Sequence, residues 1–158
     1  MRKRPARSLV ILCSPGTAEL PPAQRRRLAL VGRAAIAAHP LGGAVQLVLV
    51  GDGRMRRLNA QYRGKDRTTD VLSFNLDPGP EALAGALPLW GELYISMPRA
   101  QAQAKAQGVP LLSELARLLV HGLLHLAGYN HDTPAGLRFM EGETERLLEA
   151  KGLLPRPT

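Results

Sequence analysis

The sequence predicts an α+β fold: a single domain with a mixed sheet of about four strands covered by helices, and a metal site on a late, buried helix and the turn after it. Two observations predict the fold class. Short, β-branched apolar runs cluster in the first two thirds of the chain, and the longest helical periodicities fall in the last third. A third observation, three histidines packed into residues 121–131, places the chemistry.

Residues 8–13, SLVILC, read as the first strand. Pro-Gly and Pro-Pro punctuation over 15–22 turns the chain into a helix over 23–38, with Leu28, Val31, Ala35 and Ile36 at helical spacing. Pro40 and Gly42-Gly43 end it. His39, just before that proline, is expected at the surface or as a cap. Residues 44–50, AVQLVLV, are a strong strand, and Asp52 is placed to cap a short helix over 53–61 with Met55 and Leu58 inward. Residues 70–76 and 90–96 read as strands separated by a Pro/Gly/Ala loop over 77–88, with Trp90 packing at the start of the second. Pro98 fits the first turn of a helix through Gln107. The main helix covers about 112–127, and a final helix covers about 134–150 with Leu137, Met140, Leu147 and Leu148 as packing residues. The division expected is a basic tail over 1–7, a domain over 8–152 and a C-terminal tail over 153–158. No repeat or linker suggests a second domain.

Composition narrows the partners. Net charge is +8, and 17 of the 21 cationic residues are arginine. Residues 1–107 carry 16 cationic and 7 acidic side chains, against 5 and 6 in 108–158. The excess lies in Arg2–Arg7, Arg25–Arg27 and Arg54–Arg67, which favours a polyanionic partner because guanidinium matches phosphate geometry. The Arg25–Arg27 trio itself reads as a solvated helix face. One cysteine, Cys13, rules out an intrachain disulfide and reads as a buried strand thiol. No run approaches the ~18 apolar residues of a membrane span, and the apolar stretch after the basic start is too short for a signal-peptide core. The cytoplasm is therefore expected.

His121 and His125 are four apart, on one face of the main helix, whose Leu115, Leu118, Leu119, Leu123 and Leu126 make it largely buried. Buried imidazoles need partners or a metal. Gly128 can end the helix in a left-handed conformation and let Tyr129 and Asn130 carry the chain round to His131. Three histidines without a nearby cysteine favour a catalytic zinc with an open position over a closed structural site. The spacing HxxxHxxGxxH is that of the metzincin proteases, but the glutamate they use as general base is Gly122 here, so peptide hydrolysis lacks its base.

A second constellation, NAQYRGKDRTTDVLSFNL over 59–76, sets Arg63, Lys65, Arg67, Thr68, Thr69 and Asp70 before an apolar strand. Together with HGLLHLAGYNH and WGELYIS, it resembles the YbeY family of bacterial endoribonucleases of ribosomal RNA maturation, over nearly the whole chain. The resemblance implies one zinc ion per chain on His121, His125 and His131, and Arg63 as the functional arginine of the cleft. Asp70, Ser73 and Phe74 match its TDVLSF segment, and Glu92 an acidic position of its next strand. Lys65, Arg67, Asp70, Ser73, Glu92 and Arg117 are candidate substrate contacts. The activity implied is single-strand-specific cleavage of ribosomal RNA, at the 3′ end of the small-subunit RNA and in ribosome quality control. The partners are ribosomal RNA and candidate small-subunit proteins, with neither DNA nor membrane.

Two positions depart from the family. Its GYDH is GYNH here, so Asn130 lacks a carboxylate, and Arg117 stands where a further histidine is frequent. Asp132, Glu92 and Asp70 are the carboxylates that could serve as base if the fold brings them near the metal. The attacking oxygen could come from water at the metal or from the RNA 2′-hydroxyl. Two other readings are a ribosome-associated assembly factor with weak catalysis and a metal-dependent hydrolase of a peptide or small molecule.

Overall fold

The computed structural model describes residues 9–64, 69–76 and 89–154. Lys65, Arg67 and Thr68, the basic tail, the loop over 77–88 and residues 155–158 lie outside the described residues. The elements run β1 (Leu9–Cys13), α1 (Pro22–Ala38), β2 (Ala44–Val50), α2 (Asp52–Arg63), β3 (Val71–Asn75), β4 (Leu89–Ser96), α3 (Met97–Gln107), α4 (Leu111–Leu126) and α5 (Pro134–Ala150).

The strands form one sheet in the order β1-β2-β4-β3. β1 and β2 pair in parallel, as do β2 and β4, while β3 runs antiparallel to β4 with Val71 opposite Ile95. The mixed, helix-covered sheet expected from the sequence is the one observed. Parallel pairing needs a crossover, which α1 supplies between β1 and β2. β2 and β4 are apolar on both faces because both are covered. Leu47, Leu49, Leu93 and Ile95 meet α1 and α4 in the main core, alongside Leu28, Val31, Leu115 and Leu119. Val48, Val50, Leu72 and Tyr94 meet Met55 of α2 on the other face.

Several local expectations need correction. Asp52 is the first residue of α2 and Gly51 its cap, with no side-chain cap bond. The Asp52 carboxylate instead accepts the buried Ser96 hydroxyl at 2.7 Å, because a buried hydroxyl needs an acceptor. Leu137 is exposed, whereas Met140, Leu147 and Leu148 pack as expected and Leu153 joins the core beyond them. Cys13 is half-buried at the strand end, with an Arg25 guanidinium nitrogen 3.9 Å from its sulfur. Trp90 is half-buried and packs on Gly42, where a Cβ would come within 2.3 Å of the indole nitrogen.

α4 is the central element, and Leu115, Leu118, Leu119 and Leu124 on it are fully buried. Gly122 lies directly on β4: a Cβ there would stand 2.7 Å from a Leu93 methyl. Position 122 therefore faces the sheet, and no side chain at that position could act as a base. Among the described residues no single helix is long and apolar enough to cross a membrane.

Gly122→Glu, which restores the metzincin residue, should destabilise the protein by at least about 3 kcal/mol in chemical denaturation, from overpacking and a buried ionisable group. It should add no peptidase activity. A variant of unchanged stability would show that α4 can move off the sheet.

Candidate metal centre

α4 turns His121 and His125 to the same flank, one helical turn apart, as the four-residue spacing requires. The helix then ends. Gly128 adopts φ +101°, and the Gly128 and Tyr129 amides donate to the His125 and Leu124 carbonyls. This left-handed ending redirects the chain, and His131 returns to the same flank before Thr133 caps α5 through the Gly136 amide. Asn130 helps shape the turn, its side-chain oxygen accepting the Asp132 amide at 3.2 Å. Asparagine and aspartate can both make that bond, so the departure from GYDH leaves the turn intact.

The three rings converge. Ring centroids lie 4.6 Å apart for His121 and His125, 5.0 Å for His125 and His131, and 5.5 Å for His121 and His131. One ligating atom from each residue falls within 4.8 Å of the others, and His121 Nε2 is 3.0 Å from His125 Nε2. His125 Nδ1 lies 3.0 Å from the Tyr129 carbonyl oxygen, which can only accept. Nδ1 therefore carries the proton in the neutral ring, and the Nε2 lone pair points into the cluster, the usual orientation of a metal-binding histidine. Burial, followed by the charges of His125, His131 and Arg117, pushes His121 down to about 4. Burial also lowers His125, against the opposing effect of its Tyr129 bond. Both rings are thus neutral near pH 7, the state a metal requires. The cluster can hold a metal ion.

Charged groups flank it. Arg63 ends α2 with Gly64 as its left-handed cap, and its charge is felt at His125, as is that of Asp132. The charges of Arg117 and Asp70 act on His121. Asp70 sits at the entry to β3, where it accepts the Val71 amide at 2.8 Å and the Gln103 side chain at 3.3 Å.

Ser73 pairs with Leu93 on the α4 side of the sheet, but Glu92 projects to the other face with Phe74 and Tyr94 and accepts the Tyr94 hydroxyl at 3.0 Å. The charges of Arg63, Asp70 and Arg117 therefore act on the histidines, and Glu92 lies on the opposite face of the sheet from α4.

Two features were missed in the sequence. Glu114, 1% exposed, receives Arg117 Nε and Nη2 at 2.7 Å each and holds the guanidinium as a fork. The signal was present as an acid three residues before an arginine on an otherwise apolar helix. A cavity of about 650 Å³ also runs from His121 and His131 past Arg117 to Met140 and Glu145 of α5. Its walls are the facing sides of the successive helices α4 and α5, whose packing angle no local pattern announced.

Comparison with known proteins agrees with this architecture. The profile of the family described as endoribonuclease YbeY matches residues 26–152. An endoribonuclease YbeY from Moorella thermoacetica is 48% identical over 128 residues, covering 77% of this chain and 82% of the relative. Another from Geobacillus kaustophilus is 42% identical over 129 residues, covering 78% and 83%. A solution structure of a Thermotoga maritima protein superposes with a TM-score of 0.54 at 26% identity, over 90% of each chain. The matched span takes in the body of the fold from α1 through α5, with all three histidines and Arg63, and the chain belongs to the YbeY family of endoribonucleases.

Proposed function

We propose that this endoribonuclease uses one zinc ion, held by His121, His125 and His131, to cleave single-stranded ribosomal RNA in the cytoplasm. Its proposed role is to mature the 3′ end of the small-subunit RNA and to take part in ribosome quality control, with small-subunit proteins as neighbours. The convergence of three imidazoles, with the charges of Arg117 and Arg63 acting on His121 and His125, carries this reading.

The donor set favours zinc. Tetrahedral zinc with Zn–N distances of about 2.0–2.1 Å separates its nitrogens by about 3.3 Å. The 3.0 Å pair and the 4.8 Å limit of the cluster bracket that spacing. Three protein ligands leave a coordination position for substrate or water. Bound zinc supplies Lewis acidity at a phosphoryl oxygen and a lowered pKa for coordinated water.

The chain's own residues supply the rest. Arg63 neutralises charge that develops on the phosphate undergoing cleavage. Arg117, pre-set by Glu114, suits an adjacent phosphate on the His121 side. Asp70 and Asp132 are the carboxylates close enough to influence the histidines, and each is a candidate to accept a proton. Lys65 and Arg67 follow Arg63 in the sequence and add positive charge to that stretch. A splayed single strand suits this site because its backbone can reach the cleft without an opposing strand. Peptide hydrolysis is disfavoured because position 122 faces the sheet.

Removal of metal by chelation should abolish cleavage of a single-stranded ribosomal RNA fragment, and stoichiometric zinc should restore it. His121→Ala should fold but remain inactive under the same conditions. Equal cleavage by that variant would point to a contaminating nuclease and overturn the metal-site assignment.

Arg63→Ala should lower the cleavage rate by about 10²-fold or more, the usual loss for a group that stabilises transition-state charge, with zinc content unchanged. Arg63→Lys should recover only part of it. Asn130→Asp should leave the rate within about threefold, since both residues make the same turn bond. A large gain would instead identify a carboxylate at position 130 as a missing base.

A further inference from the structure

A line of contacts outside the histidine cluster ends on the turn that completes it. His39 closes α1 as its C-cap, its amide donating to the Ala35 carbonyl. Its Nε2 faces the Glu143 carboxylate of α5, which Arg146 also holds. An ionised carboxylate can only accept, so Nε2 carries a proton. The Tyr129 hydroxyl lies 3.2 Å from Nδ1, within hydrogen-bond distance. The His39 ring stands edge-on to Tyr129 at 5.1 Å and 85°, and to Phe139 at 6.1 Å and 90°. Phe139 also packs against Tyr129, with centroids 4.7 Å apart.

Tyr129 therefore has two roles in different directions. Its backbone oxygen accepts from His125 Nδ1 and orients that ring, and its side chain is gripped by α1 and α5. The turn needs such a grip. Asn130, His131 and Asp132 are all exposed, so the segment has little burial of its own to fix it. The helix-end bonds of Gly128 and Tyr129 hold the turn along the axis of α4, and the Tyr129 side chain holds it laterally.

We propose that His39 is a positioning residue for the metal centre: through the Tyr129 hydroxyl it fixes the turn that orients His125 and presents His131. This inference rests on the reading that the three histidines hold a metal ion. Partners that orient metal ligands typically change metal affinity by 10–100-fold when removed. His39 acts one contact further out, so a smaller effect is expected.

The test is a double-mutant cycle on zinc affinity, measured in the full-length protein by competition with a chromophoric chelator. His39→Ala and Tyr129→Phe should each weaken zinc binding by about fivefold, and the double variant should be no weaker than either alone. His39→Asn, whose side-chain amide can reach the position of Nδ1, should recover affinity better than His39→Gln. Cobalt-substituted protein should show altered d–d bands in His39→Ala and Tyr129→Phe.

A merely structural His39 would lower the melting temperature of the metal-free protein but leave zinc affinity and the cobalt spectrum unchanged, and that result overturns the proposal. Additive losses in the cycle would also overturn it. If His39→Ala does not fold, Tyr129→Phe, which keeps the ring, decides by the same readouts. Failure of the wild-type protein to bind zinc would instead refute the metal-site reading, so the two failures are distinguishable.

Discussion

The close contact between α4 and β4 at Gly122 and Leu93 is the constraint on which the site depends. It presses the helix onto the sheet and commits its leucine-rich faces to the core. His121 and His125 are left on the flank beside the turn. The same contact removes the position from which a protease-like base would act. One glycine thus fixes both where the imidazoles emerge and which hydrolytic chemistry they can serve.

From that flank, a short stretch of chain completes the centre. The left-handed Gly128 reverses direction, the Tyr129 carbonyl sets the tautomer of His125, and the Thr133 cap starts α5 so that His131 can return. Burial keeps the His121 and His125 rings neutral, which suits them to a cation and makes them poor phosphate binders. Positive charge near them comes instead from arginines, Arg117 acting on His121 and Arg63 on His125. Arg63 lies in the last turn of α2, and Arg117 stands on α4 itself, held by the buried Glu114. Arg117 thus shares α4 with His121 and His125, while Arg63 comes from α2.

Much of this was legible in the sequence. β2 and β4 are continuous apolar runs, which is how strands covered on both faces read, and α4 carries leucines on nearly every side. The metal ligands were legible because both spacings, four residues within the helix and six beyond it, are local. What was not legible depends on contacts between distant residues. Asp52 looked like a cap, but a serine 44 residues away takes its carboxylate. Glu92 looked placed for chemistry, yet WGELYIS has apolar residues on both faces, so its pattern could not say which face meets α4. His39 looked peripheral because its partners, Tyr129 and Glu143, lie 90 and 104 residues on.

The most direct test is zinc K-edge X-ray absorption on the full-length protein loaded with one equivalent of zinc. A centre built by His121, His125 and His131 requires three imidazole nitrogens at about 2.0–2.1 Å and a fourth light-atom ligand. A sulfur shell near 2.3 Å, or fewer than three imidazoles, would contradict it.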